Sequence, residues 1–214
     1  GTETLCRWNN TPPHVICRPA TAALSARELT GRLIAAGVAA TPHPSDPERF
    51  VKIPHGHRVE DLPGYQKGLF SVQDPATVVS VDLLDIQPGH HVLDACAAPG
   101  GKTALIAERL QGQGSVLAVD RDPGRLKILQ STIDRMGLQT VTAALADAAD
   151  SRSLEKLLGD RRFDRILLDV PCSNTGVLRR RPDARWRFTP KRLRRLAALQ
   201  SSILSATAPF IKPG

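Results

Sequence analysis

Cysteine is scarce in this 214-residue chain: there are four, Cys6, Cys17, Cys96 and Cys172, and no two form a C-x-x-C pair. That spacing argues against a disulfide framework and against zinc knuckles, and makes a reducing cytoplasm the expected compartment. No apolar run is long enough to cross a bilayer, and no secretory signal is visible. His55-Gly56-His57 and His90-His91 lack partners at ligand spacing, so they read as surface histidines and no metal is expected. Two nucleotide-binding signatures are also missing. A Walker A loop needs glycine five residues before Gly101, where Cys96 stands, and no G-x-G-x-x-G follows a strand, since Gly112 and Gly114 precede one. Internal repeats are absent, and so is low complexity outside one arginine cluster.

What is present begins with size and charge. The length fits one medium domain or a core with a small appendage, and 41% hydrophobic residues can build a core. The net charge of +8 is concentrated. Between Arg179 and Arg195 stand Arg179, Arg180, Arg181, Arg185, Arg187, Lys191, Arg192, Arg194 and Arg195 against Asp183 alone, which leaves the remainder of the chain near neutral. Such a run can be a solvated helix face. Its arginine content suits bidentate phosphate contact, and it predicts a polyanionic partner.

Residues 1 to about 70 are rich in proline and threonine and read as a small α+β appendage. One helix is expected from Ser25 to Ala36, with Ser25 and Glu28 as a capping box and Gly37 as the stop. Phe50-Val51-Lys52-Ile53 reads as a short strand. From residue 71 to 214 the pattern becomes regular. A helix is expected over 75–84, strands near 91–95, 115–119, 140–144 and 164–169, and helices near 101–110, 122–136 and 151–158. Strands alternating with helices through short connections predict an α/β fold with a parallel sheet.

The strand ends carry the chemistry. Pro171 ends the apolar stretch Ile166-Leu167-Leu168, which puts Asp169 and Cys172 at the carboxyl rim where open α/β sheets bind ligands. Val92 to Thr103 is a second strand-turn-helix, whose small-residue turn lets backbone amides and a helix N-terminus approach a ligand. Asp120 ends the second strand, where an acidic residue typically takes ribose hydroxyls. Asp147 follows the third, suited to an exocyclic amine. The set reads as a site for S-adenosylmethionine.

Asp94-Ala95-Cys96-Ala97-Ala98-Pro99-Gly100-Gly101-Lys102-Thr103 together with Leu168-Asp169-Val170-Pro171-Cys172-Ser173-Asn174-Thr175-Gly176-Val177 resembles the RsmB/Fmu (Sun, NSUN) family of RNA cytosine-5 methyltransferases. Phe70-Ser71-Val72-Gln73-Asp74 and Arg181-Pro182-Asp183-Ala184-Arg185-Trp186 match the same pattern, and the likeness runs from about Asn10 to Gly214. The resemblance implies a class I methyltransferase core of Rossmann-like type with a small N-terminal RNA-side appendage. It implies cofactor contacts from Cys96, Ala97, Ala98, Pro99, Gly100, Gly101, Lys102, Asp120, Arg125, Asp147 and Asp169. It also implies RNA, in particular ribosomal RNA, as partner, with Arg179, Arg180, Arg181, Arg185 and Arg187 on the RNA side. Asp169 would face the target base, with Lys102 orienting it.

Cytosine carbon 5 is a poor nucleophile, so its methylation needs a thiolate added at carbon 6, a proton donor at nitrogen 3 (Asp169, if protonated) and a base that then removes the carbon 5 proton. The base must also leave its stack. In the family that Cys172 resembles, the matching cysteine helps product release, and the nucleophile lies in a later Thr-Cys motif beyond a Lys-Pro-Gly-Gly-like turn. This sequence stops at Ile211-Lys212-Pro213-Gly214. The expectation is therefore a fragment of a longer protein, with little or no transfer activity alone and with Ile166 to Val170 at an open sheet edge. Two alternatives stay open: a methyltransferase for another substrate, and an RNA-binding module with a vestigial cofactor fold.

Overall fold

The computed structural model describes residues 1–20 and 24–213. Helix α1 (Thr2–Asn9) leads into strand β1 (Val15–Pro19), helix α2 (Ala26–Ala35) and strands β2 (Thr41–Pro42), β3 (Val51–Ile53) and β4 (Phe70–Val72). The four strands form an antiparallel sheet in the order β2-β3-β1-β4, with Cys17 of β1 opposite Val51 on one side and Val72 on the other. The predicted capping box is present: the Ser25 hydroxyl accepts from the Glu28 N–H, and the Glu28 carboxylate accepts from the Ser25 N–H at 2.7 Å. Leu29 and Leu33 of α2 are fully buried against Val51, Ile53 and Phe70. The sequence reading did not find α1, β1 or β4.

Beyond β4 the alternation expected from the sequence appears as α3 (Pro75–Asp82), β5 (His91–Asp94), α4 (Gly101–Arg109), β6 (Ser115–Asp120), α5 (Pro123–Met136), β7 (Val141–Leu145), α6 (Ser151–Leu158) and β8 (Arg165–Leu167). Two helices that the sequence reading did not find follow, α7 (Ala184–Arg187) and α8 (Pro190–Thr207). β5 to β8 form a parallel sheet in the order β7-β6-β5-β8. Strands β5 and β6 are apolar in successive positions because both faces are covered. Val92 and Val116 pack with Val78, Val81, Leu105, Ile106 and Leu110 of α3 and α4. Leu93, Leu117 and Val119 pack on the other side with Leu154, Leu158, Phe163, Ile203 and Phe210. Chain order departs in opposite directions from β5, towards β6 on one side and β8 on the other, which places a crevice at the carboxyl ends of those strands.

One expectation is corrected. The last strand is shorter than 164–169, because its ladder partner β5 stops at Asp94; the Ala95 N–H to Leu167 carbonyl bond closes the pairing, and Asp169 lies two residues past the strand. β8 is the outer strand of its sheet, as expected, and the chain just before it is paired at Phe163. The Phe163 N–H donates to the Phe210 carbonyl (2.8 Å), the Lys212 N–H donates to the Phe163 carbonyl (2.9 Å), and Ile211 bridges Phe163 in parallel sense. Ile166, Leu168 and Val170 are partly buried against the cluster that includes Leu199, Ile203 and Phe210. Gly214 of the terminal turn lies outside the described residues.

The two sheets are joined by a buried ion pair. Arg18 of β1, its side chain 3% exposed, sends both terminal nitrogens to the Glu108 carboxylate on α4 (2.6 and 2.9 Å) and its Nε to Gln73 Oε1 (2.6 Å). A second seam lies at Gly68 (φ +68°), where a Cβ would come within 2.2 Å of the Arg135 carbonyl oxygen, so only glycine fits. Arg135 reaches back to donate to the Tyr65 and Phe70 carbonyls and lies over the Tyr65 ring at 4.0 Å.

Candidate active site

The crevice is a cleft of about 980 Å³ whose walls include Cys96, Ala98, Asp120, Asp147, Asp169 and Cys172. Its floor is the turn after β5. The Ala97 N–H donates to the Val119 carbonyl (2.9 Å), and the Ala98 N–H to Asp120 Oδ2 (3.3 Å). Gly100 caps α4 at φ +106°, where a Cβ would meet Leu129 Cδ1 at 2.9 Å, so the turn lies tight against α5. The Ala98–Pro99 peptide is cis. Ala98 and Pro99 line the cleft, whereas Ala97, Gly100 and Gly101 shape the turn from behind.

Each carboxylate on the cleft wall has a cation beside it. Asp120, 3% exposed at the end of β6, accepts from the Asp122 N–H (3.0 Å) and lies 3.4 Å from Arg125, whose guanidinium also donates to the Ala98 carbonyl. Asp147 accepts from the Ala149 N–H (3.0 Å) and has Arg121 at 3.8 Å. Asp169 accepts from Lys102 Nζ at 2.5 Å. Lys102 itself is not in the wall and reaches the cleft through that pair. Cys172 is exposed on the turn after Pro171, its Sγ 3.6 Å from Asn174 Oδ1. Cys96 is different in kind: burial, with Asp94 and Asp120 nearby, pushes its thiol up to about 12, which makes it a poor nucleophile.

Sequence reasoning missed Asp94 as an individual site residue. Its side chain is buried at the end of β5, where Thr103 Oγ1 donates to Oδ2 (2.7 Å) and Oδ1 has no partner among the described residues. Burial raises its carboxyl to about 6. The signal was available, because Asp94 ends β5 as Asp120 ends β6.

The arginine run is divided by the fold. Arg179 donates to the Thr11 and Pro12 carbonyls and stacks over Trp8 at 4.1 Å. Arg185 holds Asn10 Oδ1 and the Asn9 carbonyl, Arg180 pairs with Asp74 (2.8 Å), and Arg187 with Asp183 (3.2 Å). Of the five arginines named from the sequence, Arg181 alone faces the cleft.

The profile of the 16S rRNA methyltransferase RsmB/F family matches residues 81–214 of this sequence. The chain belongs to that family. It is 44% identical over 179 residues to the ribosomal RNA small subunit methyltransferase B of Serratia proteamaculans (strain 568), covering 84% of this chain and 40% of that protein. The protein of the same name from Yersinia pseudotuberculosis serotype O:1b (strain IP 31758) is 42% identical over 190 residues, covering 89% and 43%. The crystal structure of a methyltransferase homolog from Pyrococcus horikoshii superposes with TM-score 0.77 at 27% identity, covering 97% of this chain and 64% of that one. The chain thus spans about two fifths of the length of the curated relatives it matches. The architecture is that of a class I methyltransferase, and S-adenosylmethionine is the cofactor of the family. Among the described residues, no helix is long and apolar enough to cross a membrane.

Proposed function

We propose that this chain is the cofactor-binding, base-facing part of an enzyme that methylates carbon 5 of a cytosine in RNA, ribosomal RNA being the substrate favoured by its family. The observation that carries the reading is the convergence of Asp120, Asp147, Asp169 and an exposed Cys172 on one cleft.

The donor set fits S-adenosylmethionine. Asp120 is a buried carboxylate at a strand end, open to the cleft and able to accept from two ribose hydroxyls. Asp147 Oδ2, which faces Arg121 at 3.8 Å with no hydrogen bond among the described residues, could accept from an exocyclic amine, since the backbone bond from Ala149 uses Oδ1. The turn Cys96–Lys102 would face the methionine end with its amides and the start of α4. When bound, the cofactor supplies an electrophilic methyl group on sulfonium. By the family resemblance, the thiolate that adds to carbon 6 comes from the Thr-Cys motif that residues 1–214 do not contain, and it leaves again as the carbon 5 proton is removed. This chain's own side chains position the base and assist. Asp169, held by Lys102, would hydrogen-bond the nitrogen 3 and amine edge of the cytosine and hold a proton at nitrogen 3 as carbon 6 is attacked. Cys172, exposed on the same wall, would act on the covalent adduct and promote its release.

Calorimetric titration with S-adenosylmethionine tests the site, with Asp120→Ala as the comparison. Loss of hydrogen bonds to a charged acceptor is worth about 1.5–3 kcal/mol, so the variant is expected to bind roughly 10- to 100-fold more weakly. A folded wild-type chain that gives no binding heat would refute the reading and favour an RNA-binding module whose cofactor site is vestigial.

A further inference from the structure

Within the basic run from Arg179 to Arg195 the fold gives some side chains a partner and leaves others without one. Arg179, Arg180, Arg185 and Arg187 each have a carbonyl, carboxylate or ring partner. Arg181, Arg192 and Arg195 have no side-chain hydrogen bond or ion pair among the described residues, yet all three line the cleft. The carboxylates on the same wall cannot neutralise them. Asp120, Asp147 and Asp169 already lie against Arg125, Arg121 and Lys102. Three guanidinium groups without a counter-charge among the described residues, all lining one cleft, form a receptor for anions.

Their position specifies the anion. Arg192 and Arg195 stand three residues apart on α8, on the face that continues as Leu196, Leu199 and Ile203 along the same cleft. That helix is fixed next to the reactive turn: Gln200 Nε2 donates to the Pro171 carbonyl at 2.9 Å, one residue before Cys172. At about 1.5 Å of rise per residue, Arg195 and Arg192 stand about 7.5 and 12 Å along the axis from that anchor. An apolar wall next to Cys172, followed by two arginines and met by a third from the loop, suits a nucleotide with its base at the thiol and its phosphates outward.

We propose that Arg181, Arg192 and Arg195 form a phosphodiester-binding subsite that holds the RNA backbone flanking the base presented to Cys172. This rests on the functional reading above and names the residues that seat its substrate. Arg179, Arg180 and Arg185 are then positioning residues that hold the loop.

The test measures binding of a fluorescent single-stranded RNA oligonucleotide to this chain by anisotropy across a salt series, alongside calorimetry with S-adenosylmethionine. Each phosphate contact on a single strand contributes about 0.7 to the slope of log K against log salt. R181Q/R192Q/R195Q is expected to lower that slope by about 2 and RNA affinity by on the order of 100-fold at 0.1 M salt, with cofactor affinity unchanged. K191Q/R194Q removes charge from α8 outside the cleft lining and is expected to change both RNA quantities less. Equal effects of the two variants, or no effect of the triple one, would overturn the subsite. A wild-type chain that binds the cofactor but no RNA overturns the subsite alone, whereas one that binds neither removes the functional reading as well.

Discussion

Replacing Asp94 by asparagine isolates the cost of a single buried carboxylate. The native carboxyl lies at about 6 against an ordinary value of 3.8, with burial as the main cause and the Thr103 hydrogen bond opposing it. At about 1.4 kcal/mol per tenfold change in proton affinity, that difference is worth at most about 3 kcal/mol. The sign is set by the direction of the shift. The folded protein binds this proton more tightly than the unfolded chain, so the stabilisation is complete below about pH 3.8 and is lost as pH rises through about 6. Asparagine keeps an acceptor for Thr103 Oγ1 and cannot ionise. Urea unfolding followed by circular dichroism at steps from pH 4 to pH 7 measures the difference. D94N is expected to match the wild type near pH 4 and to exceed it by up to about 3 kcal/mol at pH 7. A difference that is constant across this range, or that grows as the pH falls, would refute the argument. In the function proposed above this carboxylate stands beside the cofactor turn, and D94N is the variant in which stability and cofactor affinity should part.

Breaking the buried pair between the two sheets should be costly in a different way. Arg18→Met removes the guanidinium that makes two bonds to the part-buried Glu108 carboxylate and is expected to lose about 3–5 kcal/mol in denaturant unfolding, part of which R18M/E108M regains; a double variant no better than the single one would contradict this. The thiols should divide into two classes. Cys6 and Cys172 are exposed, while burial pushes Cys17 and Cys96 up to about 12. Intact-mass analysis after iodoacetamide at pH 8 is expected to show two alkylations, with Cys17 and Cys96 slower by on the order of 100-fold. Alkylation of Cys96 at the rate of Cys172 would contradict the burial argument.

The alternating half of the fold was legible because its strands are short apolar runs punctuated by glycine and proline, and its helices are capped by side chains that announce themselves. Asp74, Asp122 and Asp150 each accept from a backbone N–H at a helix start, whereas the helix capped by Thr189 was missed. The antiparallel sheet was less legible. β1 reads Val-Ile-Cys-Arg-Pro and β4 only Phe-Ser-Val, and neither alternates long enough to betray a face. Their pairing is a matter of tertiary contact, which a local pattern does not encode. At the site, Asp120, Asp147, Asp169 and Cys172 could be named from position alone, since strand ends converge wherever a parallel sheet forms. The arginines could not be sorted, because what distinguishes Arg179 from Arg181 is a tryptophan and two carbonyls some 170 residues away.

The pair between Arg18 and Glu108 also sets an order of events during synthesis. The two residues are 90 positions apart. At about 5–20 residues per second, a ribosome makes the arginine roughly 5 to 20 s before its carboxylate exists. In that interval β1 can find β3 and then β4, yet among the described residues the guanidinium at its centre has only Gln73 and the neighbouring Pro19 carbonyl to meet. Tyr65 waits through a shorter stretch, 70 residues, until Arg135 arrives. Of the two sheets described, the one made earlier therefore meets its ion-pair partner only when α4 is delivered to it. It is completed from downstream.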